Sequence, residues 1–200
     1  MDEGYIKFNY NWIKDKPIPI NKLSEINKWR DKLYKLKLIG AYDSGIGFGN
    51  ISIRFENNTF IITGSATGNL RELSGNHYVL VTEYNLMKNS LTCKGPIKAS
   101  SESLSHAVIY ECLSDTNAVI HIHNLGLWEK LINKVPTTNK NISYGTSEMA
   151  NEIKRLFEES NVRDEKIFVM GGHKEGIISF GKTLDEAGNT LLSKFNTLNI

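Results

Sequence analysis

The segment Asn117-Ala118-Val119-Ile120-His121-Ile122-His123 constrains this chain more than any other. An apolar, β-branched run bounded by turn-type residues reads as a buried strand. Side chains on a strand alternate between its faces, so residues two apart point the same way. His121 and His123 therefore project together from one face, as two ligands of a single metal ion must. A third imidazole, His173, stands in Gly171-Gly172-His173, ahead of a second apolar run, Gly176-Ile177-Ile178-Ser179-Phe180. Three histidines with nothing obvious for a fourth position form the pattern of a catalytic site, because structural zinc sites fill all four positions with protein. Spacing alone leaves another reading open: two strand histidines facing a polar groove, with His173 in an unrelated loop.

Composition narrows the setting. A chain of 200 residues is one ordinary domain, spanning 1–200, and can bury a core without a disulfide or metal staple. A hydrophobic fraction of 40% and a charged fraction of 23% match a globular protein. The net charge of +2, with no Lys/Arg run, gives no reason to expect a nucleic-acid or membrane surface. Cys93 and Cys112 cannot form a disulfide framework and, in segments that look half-buried, read as reduced core thiols. Met1-Asp2-Glu3-Gly4 begins acidic and lacks an apolar signal core, and no segment approaches the ~18 apolar residues of a membrane span. The expected location is cytoplasmic.

Along the chain, Ile6, Phe8, Tyr10 and Trp12 alternate with polar residues, which predicts a first strand with one buried face, ended by Pro17 and Pro19. Leu23, Ile26, Trp29, Leu33 and Leu36 fall at helical spacing over 21–38, with Gly40 as the stop. A glycine-rich loop, 43–50, precedes two strands at 51–55 and 59–63, joined by Asn57-Asn58 as a tight turn. After the loop Gly64-Ser65-Ala66-Thr67-Gly68-Asn69 comes another strand pair, at about 78–84 and 90–94. Ser101 can cap a helix over 102–113, with Leu104, Val108 and Cys112 on one stripe. The His121 strand leads to a helix near 126–133. Ser147 to Glu159 is helical, 167–170 and 176–180 read as strands, and 183–199 as a final helix. Strands arriving in hairpins as well as between helices predict a largely antiparallel sheet with helices on its faces.

Ser100-Ser101-Glu102 stands at a helix start, where unpaired N–H groups and the helix dipole favour an anion. Two hydroxyls there could hold a phosphate, and the loops Gly47-Phe48-Gly49-Asn50 and Gly64-Ser65-Ala66-Thr67-Gly68 could add donors. Each piece also has a plain reading, a serine cap or a tight turn between strands. Glu102 is the acid next to these features, and a carboxylate near a bound metal can shuttle a proton. His77 lies in a turn. His106, four residues after Glu102, reads as a packed helix histidine and not a ligand. Trp12, Trp29 and Trp128 read as core or interface aromatics.

Taken in order, these pieces stop being independent. Gly49-Asn50-Ile51-Ser52-Ile53-Arg54, Ile61-Ile62-Thr63-Gly64-Ser65, Ser100-Ser101-Glu102 with His106, Ala118 to His123, and Gly172-His173 through Gly181-Lys182-Thr183-Leu184-Asp185-Glu186-Ala187 resemble the class II aldolase/adducin family. That family includes fuculose-phosphate aldolase and related sugar-phosphate epimerases and dehydratases. The resemblance runs from about Leu33 to the C-terminus and leaves an N-terminal extension at about 1–20.

The resemblance implies a three-layer α/β/α sandwich with an antiparallel central sheet. It implies that His121, His123 and His173 bind zinc or a similar divalent metal and that Glu102 is the acid/base. It implies a phosphate cradle of Asn50, Ser100, Ser101 and the turn at Thr63, Gly64 and Ser65. A homo-oligomer is implied too, a tetramer by preference, with sites near subunit interfaces. The chain departs from the family in three places: Thr63-Gly64-Ser65-Ala66 replaces the usual T-P-[ST]-G, Lys174-Glu175 intervene between His173 and Gly176, and the stretch from His123 to Tyr144 lacks the aldolases' tyrosine-bearing segment. The expected activity is retro-aldol cleavage of a small phosphorylated hydroxy-ketone or ketose. The runner-up is dehydration of a sugar phosphate. Epimerisation falls behind because the family's epimerases have Asp where Glu102 stands. The rival of another class is a non-catalytic, adducin-like interaction domain.

Overall fold

A computed structural model of the chain describes residues 4–199. The acidic start at residues 1–3 lies outside the described residues. In chain order the elements are β1 (Asn9–Lys14), α1 (Ser24–Lys35), β2 (Gly40–Ala41), β3 (Gly47–Phe48), β4 (Asn50–Arg54), β5 (Phe60–Thr63), β6 (Tyr78–Asn85), β7 (Ser90–Gly95), α2 (Ser103–Cys112), β8 (Ala118–His123), α3 (Leu125–Leu131), α4 (Ser147–Glu159), α5 (Val162–Glu165), β9 (Ile167–Val169), β10 (Gly176–Gly181) and α6 (Leu184–Phe195).

Eight strands form one sheet in the order β1-β7-β6-β5-β4-β8-β10-β9, and β2 and β3 pair separately. The β4–β5 hairpin turns through Asn57 at φ 48°, a left-handed conformation that asparagine tolerates. Neighbouring strands run antiparallel except at one edge, where β1 pairs with β7 in parallel, so the sheet is mixed.

The period-2 alternation sends side chains into two separate apolar clusters. Phe60, Ile62, Val119 and Ile178 pack with Leu104 and Val108 of α2 and Met149 and Ile153 of α4. Their chain neighbours Ile61, Ile120, Ile122 and Ile177 pack with Ile26 and Leu33 of α1, Leu127 of α3 and Leu191 of α6. Helices therefore cover both faces, and every residue of β8, Ala118 to His123, is buried. Burying one such aliphatic side chain is worth about 1.5–3 kcal/mol. Among the described residues no helix is long and apolar enough to cross a membrane.

Three local expectations are corrected. The first strand starts at Asn9, not at Ile6, and Tyr10 is 41% exposed. β1 is an edge strand that pairs with β7 alone among the described residues, and the buried side chain is Phe8, just before it. Helix α1 ends at Lys35 with Leu36 exposed. Lys37 at φ 57° makes the left-handed exit expected of Gly40, which belongs to β2 instead. Ser101 is not the cap of α2: the helix begins at Ser103 with Glu102 in the N-cap position, and Ser103 Oγ donates to the Ser100 carbonyl at 2.7 Å. That helix is buried on nearly every side, from Ser103 to Tyr110, and Cys112 of the expected stripe is only partly covered. Cys93 is a fully buried free thiol.

Candidate active site

β8 lies between β4 and β10. His121 stands opposite Asn50 and Ile178, and His123 opposite Gly176. Because Ile120 and Ile122 serve the core on the other face, the two imidazoles share the face of Val119, as their spacing requires. His173 enters from the turn between β9 and β10. All three rings are at least 95% buried. Their centroids lie 4.9 Å (His121–His123), 5.3 Å (His121–His173) and 4.7 Å (His123–His173) apart.

One nitrogen from each ring falls within 4.8 Å of the others, close enough to hold one ion. Burial first, and then the proximity of the other imidazoles, holds His121 and His123 well below the usual histidine range. Both rings are therefore neutral near pH 7, the form that offers a lone pair to a metal.

The surroundings of His121 fit an ion. Its Nδ1 lies 3.3 Å from Asn50 Nδ2, while His121 Nε2 is buried without a hydrogen-bond partner, as is Asn50 Oδ1. Flipping the Asn50 amide would give the orphaned Oδ1 a donor at Nδ1, put the ring proton there and leave the Nε2 lone pair to the cluster. A neutral imidazole nitrogen buried with nothing to accept is costly unless something occupies the position. The approach of Asn50 needs Gly49. Its φ is +75°, and a Cβ there would meet Ile39 Cγ1 at 2.8 Å and the His121 carbonyl at 3.1 Å.

Glu102 completes the cluster. It is 1% exposed, its Oε1 lies 3.3 Å from His173 Nδ1, and its Oε2 accepts from Ser105 Oγ at 2.8 Å. The N-cap position sets the side chain at the mouth of α2, facing the strand ends. His106, one turn on, is fully buried, and its Nδ1 is 2.7 Å from Ser52 Oγ, which in turn is 2.8 Å from Tyr110 Oη. Burial pushes the His106 pKa down to about 3. It sits outside the three-histidine group, as expected of a packed helix histidine.

The expected anion-binding residues fall together but are partly committed. The turn after β5 runs beside the chain before α2: Gly64 bridges to Ala99, and Ser65 N donates to the Lys98 carbonyl at 2.9 Å. Gly64 N already donates to the His77 carbonyl at 2.8 Å, so neither of these two N–H groups points to a ligand. Thr63 Oγ1 accepts from Ile51 N at 3.2 Å and keeps its own proton to donate. Ser100 and Ser101 are buried beside Glu102. Donors to an anion are thus mainly hydroxyls.

Four aromatic or acidic neighbours escaped the sequence reading. Phe48 stacks on His123 at 5.4 Å between centroids, and Tyr144 stacks on His173 at 4.5 Å. The Tyr42 hydroxyl touches both His123 and Glu175. The N-terminal segment reaches the same wall: Lys7 Nζ lies 3.9 Å from the Tyr144 ring centre, and Tyr5 N donates to Tyr144 Oη at 3.2 Å. All four sit in loops or short strands, where no periodicity marks a side chain's direction. The signal available was the Lys174-Glu175 insertion beside His173.

Comparison with known proteins agrees with this geometry. The family described as Class II Aldolase and Adducin N-terminal domain matches residues 41–193. The chain is 31% identical over 170 residues to an L-fuculose phosphate aldolase of Methanocaldococcus jannaschii, covering 78% of this chain and 82% of that one. Among solved structures, L-fuculose-1-phosphate aldolase from Thermus thermophilus superposes with a TM-score of 0.66 at 20% identity, covering 90% of this chain and 92% of that one. A sugar-phosphate aldolase from Thermotoga maritima gives 0.68 at 17% identity, covering 90% and 93%. The structural likenesses speak to fold alone; the family match and the archaeal relative go further. The chain belongs to the class II aldolase and adducin family, as an enzyme of the class II aldolase type.

Proposed function

We propose that this protein is a metal-dependent lyase that cleaves a small phosphorylated hydroxy-ketone or ketose by a retro-aldol reaction, with His121, His123 and His173 as metal ligands and Glu102 as acid/base. One observation carries the reading: three buried imidazoles with ligand atoms within 4.8 Å of one another, and a buried carboxylate oxygen 3.3 Å from one of them. Three nitrogen ligands suit zinc first, though cobalt, manganese or iron could take the same donors. An ion held there supplies a Lewis acid for a carbonyl and its neighbouring hydroxyl, stabilising charge on oxygen as the carbon–carbon bond breaks.

The chain's own residues do the rest. Ser105 Oγ donates to Glu102 Oε2, which fixes the carboxylate and leaves Oε1 to take a proton from the substrate hydroxyl and return it to carbon. Burial of the site excludes water from the carbanion until that proton arrives. Ser100, Ser101, Thr63, Ser65 and the Asn50 amide would hold the phosphate near the N-terminal end of α2, with the turn at Gly64 setting their spacing. The fold reading that goes with this is a three-layer α/β/α sandwich, antiparallel in its central part, formed by one domain over 1–200 with an N-terminal extension at about 1–20. A cytoplasmic homo-oligomer, a tetramer by preference, completes it.

The archaeal relative is named for L-fuculose phosphate, which makes deoxyketose 1-phosphates the first substrates to offer. The test is to load purified protein with zinc or cobalt and screen ketose phosphates, and the same ketoses without phosphate, for aldehyde release and for water loss. Metal-dependent aldehyde release supports the aldolase. Water loss without cleavage would move the assignment to a dehydratase. Neither product from a metal-loaded protein would favour the non-catalytic, adducin-like role.

A further inference from the structure

We infer that Tyr42 and Glu175 are positioning residues that fix the tautomer of His123 and strengthen it as a ligand. The inference rests on the metal reading of the three histidines. Tyr42 follows β2, and its hydroxyl lies 2.7 Å from His123 Nδ1 and 2.9 Å from Glu175 Oε2. The directions follow from what each group can do. As a carboxylate Glu175 only accepts, so the phenol O–H donates to Oε2. The Tyr42 oxygen is then left to accept, and His123 must donate to it from Nδ1. The ring's lone pair therefore resides on Nε2. A carboxylate pulling on the far end of this chain makes the imidazole more basic, as carboxylate–histidine pairs do at metal sites.

The backbone at Glu175 points the same way. Glu175 is one of the two residues that intervene between His173 and Gly176, and it sits at φ 74°, a strained position for a glutamate and an easy one for glycine. Its carbonyl accepts from Asn124 N at 3.0 Å, which ties the turn to the residue after His123. Glycine would relax this turn, and the carboxylate that stands there instead reaches Tyr42. On the other side Phe48 packs against both rings, with centroids 4.7 Å from Tyr42 and 5.4 Å from His123, which keeps the phenol in line.

The experiment measures affinity for zinc and for cobalt, by competition with a chromophoric chelator, in the full chain and in Tyr42→Phe, Glu175→Gly and the double variant. Each single variant should weaken binding by about 10–100-fold, and the double variant should be no weaker than Tyr42→Phe, because Glu175 acts through the phenol. Metal-free Glu175→Gly should unfold at or above the wild-type temperature, which separates a lost carboxylate from a damaged fold. Wild-type affinity in Glu175→Gly, or losses that multiply in the double variant, would overturn the inference. A wild-type protein that takes up neither metal would instead overturn the metal reading, and this inference with it.

Discussion

With no ion in the histidine cluster, this protein should be acid-labile in a pH window set by its buried histidines. His106 is fully buried with a pKa of about 3 in the fold, against 6.5 for the free group, and His121 and His123 are displaced in the same direction by burial and then by neighbouring imidazoles, His123 and His173 for the first and His173 for the second. In the unfolded chain these rings take up protons as pH falls through about 6.5, whereas the folded chain refuses them. The unfolded state binds more protons, so stability is complete above pH 6.5 and is lost as pH drops. For His106 the loss continues down to about pH 3. A ring such as His106 that refuses the proton contributes about 1 kcal/mol between pH 7 and 5.5. His121 and His123 add to the loss in the same direction, against the ~5–15 kcal/mol that holds a domain together.

Carboxylates of ordinary pKa, near ~4, do not titrate in that window, so the histidines carry it. Urea unfolding of chelator-treated protein at pH 7.0, 6.0 and 5.5 measures the loss directly. His106→Asn keeps a partner for Ser52 and should remove about 1 kcal/mol of the drop. Added zinc should restore about 4 kcal/mol at pH 7 when free metal is ~1,000 times its Kd. That gain should fade with acid, because the ligands must stay deprotonated. A change below about 1 kcal/mol between pH 7 and 5.5 would show that the folded protein accepts these protons and would refute the reasoning.

Three further outcomes are expected. Glu102→Gln should lower turnover by about 10²–10⁴-fold with metal content intact, and unchanged turnover would move the proton shuttle elsewhere, with His106 next to test. Ser101→Ala should raise KM for a phosphorylated substrate more than for its unphosphorylated counterpart, and an equal rise for both would remove the anion role. Gly49→Ala drives a methyl into Ile39 and the His121 carbonyl at positive φ, so it should cost about 1–3 kcal/mol in urea unfolding and loosen the metal; wild-type stability would show that the loop yields freely.

The central site was legible because strand periodicity does part of the geometry. His-x-His on an apolar run fixes two rings on one face by alternation alone, and β8 is that run. His173 and Glu102 needed the ordered motifs of a family, since no periodicity links a turn and a helix mouth to a strand 20–50 residues away. Tyr42, Phe48, Glu175 and Tyr144 were hidden because loop side chains take their direction from tertiary contact. The errors at the edges have similar causes. Tyr10 alternates correctly, but it stands on an edge strand and is 41% exposed. Ser101 has the right chemistry for a cap, yet the chain gives the N-cap position to Glu102 and leaves the carboxylate facing the histidines. The parallel pairing of β1 with β7 depends on where the extension docks, which no local pattern records.

The most direct test of the account is the metal content of purified protein after equilibration with zinc and removal of free metal, measured beside His121→Ala and His173→Ala. The account predicts one ion per chain in the wild type and its loss in both variants, with their circular dichroism unchanged. Metal retained equally by wild type and both variants would contradict it.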